Sequence, residues 1–226
     1  MKEKVIIVAG GVGKRMGSEI PKQFLPIQDK VILMHTIESF YNYNPEIEIF
    51  ITLPQQEIPN WKKLVQKYSF QIPHKIVIGG KTRFESVQNG LKQIEKDCII
   101  AIHDGVRPLV SRETIQQTFS MAKDTGSAIP VIPLEESLRN ITEKENRAVP
   151  RKDYRLVQTP QVFQSNLIKK AYEQEYDPDF TDDASVLEKA GGVIAIVEGN
   201  PENIKITTKK DLEIAEVLMK YLKSKT

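Results

Sequence analysis

Short apolar runs recur along the chain between longer stretches in which apolar residues return every three or four positions. Runs such as VIIVA, IFITL and CIIAI are apolar at almost every position, the pattern of strands covered on both faces. Six strands are predicted on this basis, at 4–9, 47–53, 74–78, 97–103, 127–133 and 193–198, with helices between them at 32–41, 58–68, 82–94, 112–123 and 166–175. A last helix at 209–223 sets Leu212, Ala215, Leu218, Met219 and Leu222 on one stripe. Alternating strand and helix is the output of βαβ units, whose crossover helices cover a parallel sheet. The expected fold class is therefore α/β, a Rossmann-like, mostly parallel sheet with helices on both faces.

The stretch 135–153, EESLRNITEKENRAVPRKD, breaks this rhythm, because Leu138, Ile141, Ala148 and Val149 are its only apolar residues. It cannot pack a core face, and structureless connections of this length are uncommon inside a domain. A protruding hairpin arm or a functional loop is expected there, with a plain surface loop as the alternative. The whole chain, 1–226, reads as a single domain carrying 135–153 as an arm.

Composition narrows the class without naming a chemistry. The 226 residues, 40% hydrophobic and 27% charged, suffice to bury roughly 70–75% of the unfolded surface without disulfides or a structural metal. The single cysteine, Cys98 in CIIAI, reads as a small buried hydrophobe in a reducing, cytoplasmic setting. The opening MKEKVIIV has too short an apolar run for a secretory signal, and no stretch approaches the roughly 20 apolar residues of a membrane span. No membrane partner is expected. Thirty-two Lys and Arg against 30 Asp and Glu give a net charge of +2, too little for a dedicated nucleic-acid binder. The charge is unevenly spread, however: 173–188 holds seven acids and no Lys or Arg, whereas six lysines and three acids follow from Lys205 onward.

Local motifs give the chemistry. The first strand runs into Gly10-Gly11-Val12-Gly13-Lys14-Arg15-Met16-Gly17 and then Pro21-Lys22-Gln23-Phe24. Glycines after a strand let backbone N–H groups approach a phosphate. The spacing of Gly11, Gly13 and Gly17 misses the dinucleotide fingerprint, whose third glycine comes one residue earlier. Lys14, Arg15 and Lys22 bring cations instead, which suits a nucleoside triphosphate attacked at its α-phosphorus. Gly79-Gly80-Lys81-Thr82 resembles the end of a Walker A loop, but Lys75 stands where the leading glycine belongs. Arg83-Phe84-Glu85-Ser86-Val87, which follows, offers polar groups for a base pocket. His103-Asp104-Gly105-Val106-Arg107-Pro108 closes a strand, placing Asp104 and Arg107 at the carboxyl end of the sheet, where Asp104 could approach Mg²⁺. His103 reads as a structural, hydrogen-bonded residue, as do His35 and His74.

Taken in order, AGGVGKRMG with PKQFLPI, GGKTRFESVQNGL, HDGVRP, LVQTPQVF, FTDDASVLE and NIKITTKKDLEIAE resemble the 2-C-methyl-D-erythritol 4-phosphate cytidylyltransferases of non-mevalonate isoprenoid biosynthesis, over essentially the whole chain. The resemblance implies that the acceptor phosphate attacks the α-phosphorus of CTP and expels pyrophosphate. It places transition-state stabilisation on Arg15 and Lys22, and acceptor positioning on Arg151 and Lys205. Arg151 matches by its eight-residue distance to Thr159, with Arg139, Arg147 and Arg155 nearby. Nucleotide contacts fall on Ala9, Gly10, Gly11, Gly13, Gly80, Lys81, Ser86 and Asp104. Acceptor contacts fall on Asp104, Arg107, Ser137 and Thr159, with Mg²⁺ at Asp104. Family members are homodimers, so Ser137 and Arg151 would reach the partner's site on the arm. Two departures stand out: Ala9-Gly10-Gly11 replaces the usual Ala-Ala-Gly, and Asp104-Gly105-Val106-Arg107-Pro108 replaces Asp-Ala-Ala-Arg-Pro. Neither changes a reacting group. The rival readings are a ribitol 5-phosphate cytidylyltransferase, which shares the first loop and NIKIT, and a non-catalytic nucleotide-binding module, which would need none of Arg15, Lys22, Asp104 and Lys205 together.

Overall fold

The computed structural model describes residues 1–11, 20–95 and 97–224. In chain order the elements are β1 (Lys2–Val8), β2 (Pro26–Ile27), β3 (Lys30–Val31), α1 (Ile32–Tyr43), β4 (Glu48–Leu53), α2 (Ile58–Lys67), β5 (Lys75–Ile78), α3 (Arg83–Lys92), β6 (Cys98–Asp104), α4 (Arg112–Thr125), β7 (Ser127–Pro133), β8 (Leu138–Ile141), β9 (Asn146–Val149), β10 (Arg155–Val157), β11 (Gln161–Gln164), α5 (Ser165–Ala171), α6 (Asp183–Lys189), β12 (Ala195–Glu198) and α7 (Lys209–Lys223).

Eight strands make the central sheet. β6, β1, β4 and β5 lie side by side and parallel. β11 runs antiparallel between β6 and β7, β10 continues along the same side of β7, and β12 pairs parallel with β7 on its other side. Alternation along the central strands explains why they are apolar throughout. Val5, Ile7, Ile99 and Ala101 pack under α1, α2 and α4, while Ile6, Ile100 and Ile102 pack under α3, α5 and α6. Ile6 and Ile7 are fully buried, so truncating either to alanine would cost about 2–5 kcal/mol. α7 closes a third cluster, with Ala215 and Met219 against Ile32, Val106 and Ile206.

All six predicted strands are present, and α7 has the predicted bounds. The short β2–β3 pair, β10, β11 and α6 are additions. β11 has only four residues and borrows its place from neighbours on both sides, and α6 lies in the acidic stretch, started by an Asp182–Ser185 capping box. The helix expected at 166–175 ends at Ala171, and the ring of the next residue, Tyr172, stacks on Phe84 at 4.6 Å. The 135–153 stretch forms a hairpin, β8 against β9 from Leu138↔Val149 to Ile141↔Asn146, followed by a 3-10 turn at Arg151–Asp153. Among the described residues, no helix is long and apolar enough to cross a membrane.

Parallel strands bring their carboxyl ends to one edge, so the loops after β1, β5 and β6 converge there. Backbone hydrogen bonds fasten them beyond the strands: Ala9 N–H to Thr52 O (3.0 Å), Gly79 N–H to Leu53 O (2.8 Å) and Gly105 N–H to Val8 O (2.9 Å).

Candidate active site

The converging loops enclose a cavity of about 220 Å³. Ala9, Gly10 and Gly11 form one wall, Gly80, Lys81 and Ser86 another, and Lys22, Asp104 and Lys205 the end where the two meet. The Gly80 wall is shaped by α3. Thr82 caps that helix by accepting from Glu85 N–H (3.1 Å), Gly80 N–H donates to Ser86 Oγ (3.1 Å), and Ser86 Oγ–H donates to Thr82 O (2.9 Å). Ser86 thus commits its proton to the loop and shapes the wall. A Cβ at position 80 would sit 2.2 Å from Glu85 Cβ, so only glycine fits this turn. At position 11 a Cβ would sit 2.8 Å from Lys22 Cε, so the bare backbone lets the lysine cross the first loop. Gln23, missed in the sequence, donates to Ala9 O (2.8 Å) and steadies that loop.

Asp104 ends β6 and collects cations. Arg107 Nε lies 3.1 Å and Lys205 Nζ 3.0 Å from its Oδ2, while Arg83 Nε lies 3.7 Å from Oδ1. Burial alone would raise its pKa, but Arg83, Lys205 and Arg107 outweigh that effect and hold the carboxyl well below the ordinary range. It is ionised at any physiological pH.

Beyond Asp104 a second cavity of about 270 Å³ adjoins the first, sharing Arg83, Asp104 and Lys205 and adding Arg107, Gln158, Thr159, Gln161, Thr181 and Asp182. Thr159, expected among the acceptor contacts, lines this second cavity, with its hydroxyl engaged on both sides. That hydroxyl accepts from Asp104 N–H (3.1 Å) and pairs with His103 Nδ1 at 3.0 Å, so it holds the wall and has no proton left to donate to a ligand. His103 is structural, as expected: burial lowers its pKa to about 4 and keeps it neutral.

Arg83 is the main residue sequence reasoning passed over. It opens α3 and grips the fully buried Asp183 with two bonds, Nη1 to Oδ1 at 2.8 Å and Nη2 to Oδ2 at 2.6 Å, while Tyr172 donates to Asp183 Oδ1 at 2.6 Å. Burial opposes its charge, but Asp183 and Asp104 more than compensate and raise its pKa. The signal was present: an adjacent Asp pair in FTDDAS begins a helix, and a buried acid needs a counter-charge.

Of the remaining expected residues, Gly13 and Arg15 lie outside the described residues. Ser137 and Arg151 line neither cavity; Arg151 donates to Glu135 O at the base of the hairpin. His35 and His74 do structural work, at Ile27 O and Trp61 Nε1 respectively. A metal fits Asp104 in one form. Mg²⁺ takes one or two carboxylates and draws its other ligands from phosphates and water, and Asp104 Oδ1, approached among the described residues by Arg83 at 3.7 Å, is the more open oxygen.

Known proteins resemble the chain in both sequence and fold. The family profile described as IspD, 2-C-methyl-D-erythritol 4-phosphate cytidylyltransferase, matches residues 4–221. The Phocaeicola vulgatus enzyme of that name is 51% identical over 219 residues, covering 97% of this chain and all of the relative, and the Bacteroides thetaiotaomicron enzyme is 48% identical over the same span. Among solved structures, the Thermus thermophilus enzyme superposes with a TM-score of 0.78 at 30% identity, covering 97% of this chain and all of that one. The Francisella tularensis enzyme gives 0.79 at 31%, covering 96% and 99%. With the phosphate-ready loops, the cation-ringed Asp104 and this likeness over nearly the full length, the chain belongs to the 2-C-methyl-D-erythritol 4-phosphate cytidylyltransferase family of nucleotidyltransferases.

Proposed function

We propose that the two adjoining cavities divide the substrates of the family's reaction, CTP in the glycine-walled cavity and methylerythritol phosphate in the one beyond Asp104. An acceptor phosphate oxygen then bonds to the α-phosphorus while the bond from that phosphorus to the β-phosphate's bridging oxygen breaks. Pyrophosphate leaves with the electron pair, and 4-diphosphocytidyl-2-C-methyl-D-erythritol remains. A phosphomonoester has a second pKa near 6, so the nucleophile is already largely dianionic at neutral pH and needs no protein base. Catalysis is therefore alignment and charge neutralisation.

The observation that carries this reading is the charge balance where the cavities meet. Among the described lining residues, Lys22, Lys81, Arg83, Arg107 and Lys205 stand against Asp104 and Asp182, and a positive excess remains even with Asp183 answering Arg83 from behind. Such a surplus repels itself until polyanions fill it. Lys22, with Arg15 by family resemblance, neutralises the transferring phosphorus; Arg107 and Lys205 hold the acceptor phosphate. Asp104 would hold Mg²⁺, which when bound shields the triphosphate oxygens. Gly10, Gly11, Gly13, Gly80 and Lys81 cradle the nucleotide, and Ala9 and Ser86 fix the cradle.

The hairpin belongs to a homodimer, placing Ser137 and Arg151 in the partner's acceptor cavity; its support is that both stand clear of the cavities of their own chain. A cytoplasmic setting suits CTP chemistry and the buried, unpaired Cys98. Pyrophosphate release from CTP with each polyol phosphate in turn, with and without Mg²⁺, tests the substrates: methylerythritol phosphate is expected to win, and preference for ribitol 5-phosphate would overturn the acceptor. For the arm, mixing inactive Lys22→Ala and Arg151→Ala subunits should restore about a quarter of wild-type activity, since half the dimers are mixed and each mixed dimer has one intact site. No recovery after subunit exchange would place Arg151 in its own chain's site or outside the chemistry.

A further inference from the structure

Three segments carry the acceptor-side groups, and only one is anchored in regular structure. Asp104 ends β6, whereas 105–107, 158–160 and 203–205 lie outside helices and strands. Backbone bonds tie Ile206 N–H to Val106 O (3.0 Å) and Gln158 N–H to Pro130 O (2.9 Å), and side-chain hydrogen bonds supply the links from 158–160 to the other two segments. Taking the acceptor cavity as read above, we propose that His103 and Asn203, which face neither cavity, are positioning residues that lock these three segments into one unit.

The bonds close a ring. Asp104 N–H donates to Thr159 Oγ1 (3.1 Å). His103 Nε2 lies 3.1 Å from Arg107 O, a carbonyl that can only accept, so the ring proton of the neutral imidazole sits on Nε2. Nδ1 is then a bare acceptor, and Thr159 Oγ1–H must donate to it across 3.0 Å. From the same threonine the backbone carbonyl accepts from Asn203 Nδ2 (2.8 Å), and the Asn203 backbone carbonyl accepts from Arg107 Nη1 (2.7 Å). Arg107 Nε returns to Asp104 Oδ2, where Lys205 Nζ also arrives. His103 thus measures the 104–107 turn against 158–160, and Asn203 measures 158–160 against the backbone that delivers Lys205.

Both side chains have no exposed surface, and the edge-on ring of Phe40, with centroids 5.0 Å apart, confines His103 from behind. Each sits on the far side of the bonds from any ligand, so its effect on turnover passes through Asp104, Arg107 and Lys205. The nucleotide walls at 9–11 and 80–86 take no part in the ring. That asymmetry separates positioning from general support of the fold. Asp104 and Lys205 border both cavities, whereas Arg107, Gln158 and Thr159 border only the acceptor's; because a misplacement near 1 Å can cost about 10²-fold in rate, loosening the ring should fall more heavily on the acceptor than on CTP.

The experiment is full steady-state kinetics on His103→Leu, His103→Gln, Asn203→Ser and Arg107→Met beside wild type, with CTP affinity measured separately by calorimetry. For His103→Leu and Asn203→Ser, kcat/KM for the acceptor should fall on the order of 10–10²-fold, while the CTP Kd stays within about threefold. His103→Gln, which keeps a donor for Arg107 O, should recover part of the loss. Equal losses for both substrates, or unchanged kinetics with only a lower Tm, would assign both residues to stability alone and overturn the proposal. Should His103→Leu fail to fold, Asn203→Ser decides it, with unchanged CTP affinity as its proof of folding. Arg107→Met is the control on the underlying reading: if it leaves the acceptor KM unchanged, the cavity assignment fails, and if it raises that KM while Asn203→Ser does not, the positioning role alone fails.

Discussion

Two carboxylates at opposite ends of the sheet are each held by cations, yet one of them borders the proposed substrate cavities and the other does not. Glu48 begins β4, with Lys4 of the neighbouring β1 2.9 Å from Oε1 and Lys75 of β5 2.8 Å from Oε2. Asp104 ends β6 among Arg83, Arg107 and Lys205. The concavity beside Glu48 is the larger, about 700 Å³ against about 220 Å³ and 270 Å³ for the pair around Asp104. Size alone would therefore favour the amino end. What separates them is balance: Lys2 and Arg112 line the amino-end concavity against Glu3, Glu46 and Glu48, whereas the carboxyl end keeps cations in surplus. The carboxyl end also turns loop backbone inward at glycines, while the strands at the amino end start among paired side chains. A site shows itself in a net excess of one sign of charge across a concave surface.

Removing part of that surplus tests the contrast most severely. Lys22→Ala takes away the cation proposed above to neutralise the transferring phosphorus and should lower turnover on the order of 10²–10³-fold, read as pyrophosphate release; near-normal turnover would remove Lys22 from the chemistry. A smaller effect is expected from Gly80→Ala, which adds no charge but drives a Cβ into Glu85. Overpacking of this kind costs about 1–3 kcal/mol. If the turn absorbs that cost by moving away from the base, the CTP Kd should rise about tenfold while the acceptor KM holds. A change confined to thermal stability would make the turn a folding device only.

The sequence announced these two ends unequally. Glycine loops and strand-terminal polar residues are local features, so Gly10, Gly11, Gly80, Asp104 and Lys205 were legible from their neighbours along the chain. Arg83 was not, because its meaning lies in Asp183, a hundred residues away and buried. The hydroxyl bonds of Thr159 were hidden for the same reason: the residue lines the cavity where an acceptor contact was expected, but its ties to His103 and the Asp104 amide cross more than fifty residues. In the fold, continuous apolar runs revealed the fully covered strands, while β11 and α6, with four and seven residues, owe their form to tertiary neighbours and a cap. The hairpin at 135–153 was inferred from what it lacked, a core face.

At the amino end the expected effects are the smallest, and their sign is fixed by Glu48. Hydrogen bonds from Lys75 and Lys4 lower its pKa to about 2, so the pair contributes stability above the ordinary carboxyl pKa of about 4.3 and loses it as pH falls toward 2. The shift taken at face value would correspond to about 3 kcal/mol, but the side chain is 35% exposed and that of Lys75 64%, so solvent screening reduces the contribution to about 1 kcal/mol. Lys4, whose side chain is only 8% exposed, sets the lower bound, because it would be left buried with an amide as its sole partner. Glu48→Gln should therefore lower unfolding stability by about 1 kcal/mol at pH 7, with the difference from wild type shrinking between pH 4 and pH 2 in urea titrations. Turnover should not change. A fall in kcat/KM for either substrate would mean that the amino end takes part in the reaction, and the contrast between balanced and unbalanced charge would fail as a guide to the site.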